Sequence, residues 1–243
     1  MKRTLVLLTA LMCCAGSALA VTTTIPYPAS IDTKTAGASS APAEINHTTS
    51  PYFNHPDYYN LQSNESLTIL THYKTYQQTT EETCGPAAGL TLLDYYGKHG
   101  QNEAGLRTGM KTKPYPIGTS LTDMADYFKS LGWKTDTSLD HKPFATYEAF
   151  QDFALKNLKA GTPILVENVY WGGHWRVLIG YDTLGTKSPL DDMLIFADSY
   201  DTCDHLQDGY SADNGELFYA MWFDHSMLPK DQQNQPWIIA TPR

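Results

Sequence analysis

Cysteine is scarce in this 243-residue chain: there are four, and Cys13 and Cys14 fall within the first twenty residues. A disulfide scaffold needs more pairs in a shorter chain, so the fold has to rest on a hydrophobic core. Positive charge is scarce as well, with 17 Lys and Arg against 26 Asp and Glu. A nucleic-acid partner requires a basic stripe that releases counterions, and the balance here excludes one. Eight histidines occur, but no His-Glu-x-x-His and no paired Cys-x-x-Cys. Neither a metal nor another cofactor is therefore implied. After residue 20 no apolar run approaches the length of a membrane span, which argues against a stable membrane anchor. No internal repeat is visible, and the oligomeric state is left open.

The first twenty residues have a compact logic of their own. Lys2 and Arg3 precede the apolar stretch 5–12, and Ala18-Leu19-Ala20 puts small residues at the −3 and −1 positions. That is the pattern of a secretory signal peptide, and the apolar stretch is too short to cross about 30 Å of hydrocarbon. Residues 1–20 are expected to be removed and the mature chain exported, to the periplasm or beyond the cell. Losing Lys2 and Arg3 turns 17 basic residues into 15 against 26 acidic, a net charge of −11.

Residues 21–66 are dense in Thr, Ser, Ala and Pro, then in Tyr, Asn and Pro. Such a composition buries too little apolar area to offset its ordering entropy, so it reads as a linker. Tyr52, Phe53, Tyr58 and Tyr59 could dock it locally, as an arm or a removable propeptide would. Residues 67–243, some 177 in all, suit one compact domain. Residues 67–76 alternate like a strand, and 85–96 read as a helix. Ser120-Leu121-Thr122-Asp123 resembles a capping box ahead of Met124, Phe128 and Leu131 at helical spacing. Residues 147–160 form another amphipathic pattern that stops at Gly161. Strand patterns follow at 164–170, 175–181, 193–197, 217–223 and 237–240. Helices first and strands afterwards predict an α+β domain with segregated halves.

Three segments stand out chemically. Cys84 opens the helix after Thr83, where unpaired N–H groups and the positive helix end favour a negative sulfur. Gly85 leaves room beside the sulfur, and Pro86 is at ease in a first helical turn. Alone, such a cysteine reads equally as a buried structural one. His174 follows Gly172-Gly173 and opens an apolar strand ending in Gly180-Tyr181-Asp182. Asp198 closes the apolar run 193–197. A Cys84–Cys203 disulfide is the structural rival, and it would make Cys84 inert.

Together these segments resemble the papain-like cysteine peptidases, in the branch of the double-glycine leader peptidases of bacteriocin exporters and their stand-alone secreted relatives. The resemblance lies in Gln78-x5-Cys84-Gly85-Pro86, in Gly173-His174-Trp175 running to Gly180-Tyr181-Asp182, and in the strand ending at Asp198. The family's usual Asp-Pro is Asp198-Ser199 here. The resemblance implies a papain-like α+β fold, with Cys84 on the N-terminal helical half and His174 and Asp198 on a C-terminal antiparallel sheet. It implies Cys84 as nucleophile, His174 as general base, Asp198 as orienter and Gln78 as oxyanion donor. It also implies a peptide or protein substrate. An amidase or acyltransferase on a non-peptide substrate, and a catalytically silent binding protein, are the alternatives. Geometry favours Asp198 over its neighbours. Asp182 ends His174's own strand, about 26 Å away if extended, and Asp201 lies past residues 199–200, where the chain is expected to turn.

Overall fold

A computed structural model describes residues 23–27, 36–47 and 50–243. The expected signal peptide lies outside the described residues. Among the described residues five α-helices occur, α1 (Cys84–Tyr95), α2 (Glu103–Gly109), α3 (Leu121–Ser130), α4 (Tyr147–Lys159) and α5 (Gly215–Ala220). Seven strands, β1 (Leu67–Ile69), β2 (Lys134–Thr137), β3 (Ile164–Asn168), β4 (His174–Asp182), β5 (Met193–Ala197), β6 (Tyr210–Asn214) and β7 (Trp237–Thr241), form a single sheet. Its order is β2-β7-β3-β4-β5-β6, all neighbours antiparallel. The α+β expectation stands, and helices α1–α3 precede most of the sheet.

Strand β4 is the spine. One edge pairs with β3 over His174–Leu178 and then with β1 over Gly180–Asp182, while the other edge pairs with β5. Its residues from His174 to Tyr181 are all buried. Helix α1 packs on this spine and is buried on every side from Cys84 to Leu93, so it is a central helix rather than an amphipathic one. Gly89 permits that crowding, because a Cβ there would come within 2.5 Å of Met110 beyond α2. Helix α3 starts as its sequence suggests: Ser120 Oγ accepts from Asp123 N at 3.2 Å and donates to Asp123 Oδ2 at 2.8 Å. Helix α4 is capped by Thr146 and ends at Gly161 with φ +73°.

Two sequence expectations fail. Residues 217–223 form no strand; they belong to helix α5 and the turn after it. Asn214 accepts from Leu217 N and starts that helix, and the buried pair Phe218 and Trp222 is spaced i, i+4 while Leu217 stays exposed. The strand at 67–76 stops at Ile69, because His72 takes φ +58° and turns the chain. In the described parts of 21–66 the chain docks locally: Thr24 bridges Thr75 in parallel, and Ala38 is fully buried.

Candidate active site

Helix α1 begins at Cys84, so the thiol sits on the first turn with the free N–H groups of the helix end. The residue is 2 % exposed. Gly85 has a different reason from the one expected. A Cβ there would fall 2.7 Å from Thr119 Oγ1, so the glycine lets α1 close on the loop before α3 rather than making room for a substrate.

The imidazole arrives from the sheet. Gly172 and Gly173 adopt φ +83° and +125°, and a Cβ on Gly173 would lie 2.5 Å from Asp224 Oδ2, so the turn into β4 demands glycine. His174 at the head of β4 lies beside the tail of β5, since Val177 pairs with Ala197. Asp198, the next residue, places Oδ1 2.7 Å from His174 Nε2. The Cys84 thiol lies close enough to the imidazole to raise its pKa, and with Nε2 engaged by Asp198 the nitrogen left to face it is Nδ1. Asp182 lies at the far end of β4, and Asp201 instead accepts from Gly209 N at 2.8 Å.

Asp198 is fully partnered. Oδ1 accepts from Tyr200 N at 2.9 Å and Oδ2 from Ser211 Oγ at 2.9 Å, with Arg176 Nη1 at 3.7 Å. Arg176 is buried beside Tyr170 and Phe196, 4.7 and 4.0 Å from their ring centroids, and is bound to Asp213 at 2.7 Å. Sequence reasoning passed over Arg176, Ser211 and Asp213. A buried charge within an apolar strand was the one available signal, because such a charge needs partners.

These contacts set the protonation states. Burial depresses the His174 imidazolium, but the charge and hydrogen bond of Asp198, with the contact to Cys84, outweigh it and raise the pKa from 6.5 to about 9. Burial opposes ionisation of Asp198, and His174 followed by Arg176 overcomes it, holding the carboxyl well below the usual carboxylate range. The folded chain thus binds the His174 proton more tightly than the unfolded chain does. The pair's contribution to stability is complete below pH 6.5 and is lost as pH rises through about 9. On the acid side it is complete above pH 3.8 and is lost as Asp198 protonates. Thermal melts of wild type and Asp198→Asn are therefore expected to differ most between pH 3.8 and 6.5 and to converge past about pH 9. A gap that stays constant through the alkaline range would exclude the ionised pair as its cause.

Gln78 lies across the cleft. With Glu81, Trp171, His174, Tyr200 and Met227 it lines a cavity of about 110 Å³. Its backbone N donates to Ser199 O at 3.0 Å, and its Oε1 accepts from Ser199 Oγ at 2.9 Å. The departure from Asp-Pro thus has a physical use, since a serine there supplies a hydroxyl that proline lacks. Gln78 Nε2 donates to the carbonyls of Thr80 at 2.9 Å and Glu81 at 3.1 Å. Those donors are therefore occupied within their own loop. Glu103 fixes the same loop by accepting from Thr79 N and Oγ1. Over the cleft, Tyr200 donates to Glu81 Oε2 at 3.0 Å and packs against Trp171. Cys84 and Cys203 are both free thiols, the first buried and the second exposed. Among the described residues no cluster of His, Cys, Asp and Glu is arranged to hold a metal ion, and no helix is long and apolar enough to cross a membrane.

No curated protein matches the chain. Among solved structures it is similar to the peptidase domain of Streptococcus ComA, a bi-functional ABC transporter involved in a quorum sensing pathway. Identity there is 19 %, over 71 % of this chain and 100 % of that one, with a TM-score of 0.45. It is also similar to a double glycine motif protease from an AMS/PCAT transporter in complex with the leader peptide, at 16 % identity over 70 % and 91 % of the two chains, TM-score 0.44. Residues 70–223 match the Peptidase_C39 like family. That span is well over half of the 243 residues, so the chain belongs to this family and is a cysteine peptidase of papain-like α+β fold.

Proposed function

We propose that the protein is an exported peptidase that hydrolyses peptide bonds through Cys84, with His174 as acid and base, Asp198 as its orienter and Gln78 as an oxyanion donor. The observation that carries this reading is the buried, hydrogen-bonded pair His174–Asp198 where β4 begins and β5 ends, with the buried Cys84 beside it at the start of α1. The Cys84 thiolate attacks the acyl carbon. A C–S bond forms and the carbonyl electron pair moves to oxygen. Collapse expels the amine, which takes a proton from His174 Nδ1. Water then attacks the thioester, gives its proton to the same nitrogen, and frees the carboxylic acid and Cys84. Asp198 keeps Nε2 protonated and the ring in place throughout.

The oxyanion is served by the Cys84 N–H and by one Gln78 N–H, released from its loop carbonyl as charge develops. Glu81 O, the longer contact at 3.1 Å, is the natural one to yield. Gln78→Ala is expected to lower kcat by about 10²–10³ with little change in KM. Steady-state kinetics on a peptide taken from a cleavage-profiled library checks this, with Gln77→Ala as the mild control. A severe Gln77→Ala beside a mild Gln78→Ala would move the role by one residue. A library left uncut while small amides are turned over would point to the amidase alternative.

A further inference from the structure

The segment that carries Gln78 is covered from behind by residues that precede the family's span. Thr75 N donates to Thr23 O at 3.2 Å, and Ile25 N donates to Thr75 O at 2.7 Å. Tyr27 Oη donates to Gln77 O at 3.0 Å. Ser39 N donates to Gln78 O at 3.2 Å, and Gly37 N donates to Glu81 Oε1 at 3.0 Å. Three successive contacts thus engage the carbonyls of residues 75, 77 and 78. The fit at Gly37 is close: φ is +65°, and a Cβ would lie 2.7 Å from Gln78 O and 2.9 Å from Thr80 N. Ala38 beside it is fully buried, and its carbonyl accepts from Gln207 Nε2, which also reaches Gln77 Oε1 at 3.2 Å. Farther along, His47 N donates to His205 O at 2.8 Å. A loose tether makes no such set of contacts.

Among the described residues the lining of the cleft falls between Gln78 and Met227, with none from 23–27 or 36–47. Residues 23–27 and 36–47 therefore brace the loop without lining the cleft. We propose that residues 36–39 are a positioning strap for Gln78, a working part of the mature enzyme rather than an inhibitory propeptide. By fixing Gln78 O and Glu81 from behind, the strap holds the Gln78 amide at the distance from Cys84 that the oxyanion requires. Misplacing such a donor by an ångström costs up to about 10² in rate. The inference rests on Gln78 acting as proposed above.

The test is steady-state kinetics of full-length Gly37→Val and Gln207→Ala, each alone and combined with Gln78→Ala, alongside melting temperatures. Gly37→Val collides with the loop, and Gln207→Ala releases the strap without adding bulk. Each is expected to lower kcat by about tenfold, to hold KM within about twofold, and to have no further effect once Gln78 is alanine. Wild-type kcat in both variants, while Gln78→Ala is slow, would overturn the strap and leave the role of Gln78 standing. A normal rate in Gln78→Ala itself would instead remove the oxyanion reading beneath it. A rise in kcat would overturn the strap by showing that the segment inhibits. An undiminished effect of Gly37→Val in the Gln78→Ala background would overturn it too, by tracing the loss to general destabilisation.

Discussion

Replacing Cys84 with alanine is expected to abolish peptide hydrolysis while the protein stays folded. The loss is total in practice because the covalent intermediate needs a nucleophile at this atom, and what is left comes only from binding and the oxyanion donors. The fold is expected to tolerate the change. Alanine is the best helix former at an α1 position, and only one buried sulfur is removed, a small cavity in a core of about forty side chains. Cys203 offers no substitute nucleophile, since it is exposed and its hydrogen-bond contact is with Thr202 Oγ1 at 3.9 Å. Circular dichroism and a melting curve establish folding, and the library peptide establishes activity. Full turnover by a folded Cys84→Ala protein would end the assignment.

His174→Ala is expected to come next in severity, with kcat reduced by about 10⁴ or more, because one nitrogen both activates the thiol and protonates the leaving amine. Changes at Asp198 are expected to be graded beneath it. Asp198→Ala leaves Nε2 without an acceptor and leaves the buried Arg176 with Asp213 and Ser211 alone, so both orientation and local stability suffer. Asp198→Asn keeps an oxygen for Nε2–H but loses the charge that raises His174 to about 9. The alkaline limb of its pH–rate profile is therefore expected to move to lower pH, since less base is then needed to discharge the imidazolium. Rates equal to wild type in Asp198→Ala, paired with loss in Asp201→Ala, would shift the orienting role two residues along.

Much of the architecture was legible because local chemistry and tertiary packing agree. The α3 cap at Ser120, the limits of β5 and the stop at Gly161 are of this kind. Strand arithmetic alone separated Asp198 from Asp182, and β4 does run extended for nine residues between His174 and Asp182. What stayed hidden rests partly on local cues weaker than the apolar pattern and partly on partners distant in sequence. Residues 217–223 are apolar enough for a strand, and only the Asn214 cap and the aromatic face of Phe218 and Trp222 decide for a helix. The strands β2 and β6, rich in Thr, Asp, Ser and Asn, lack strand character and form because β7 and β5 offer free edges. The contacts of Ser199 with Gln78 and of Gly37 with residues 78–80 join positions 41 to 121 residues apart. No local pattern announces such contacts.

The most direct measurement of the central claim is site-resolved alkylation in a Cys203→Ser background, which removes the exposed thiol. The protein is treated with iodoacetamide or an electrophilic peptide, and labelling and activity are followed together by mass spectrometry and hydrolysis of the library peptide. The expected result is one label per chain on Cys84 with activity lost in step with it, and slower labelling of Cys84 in His174→Ala. Full peptidase activity in protein whose Cys84 is completely labelled would contradict the account.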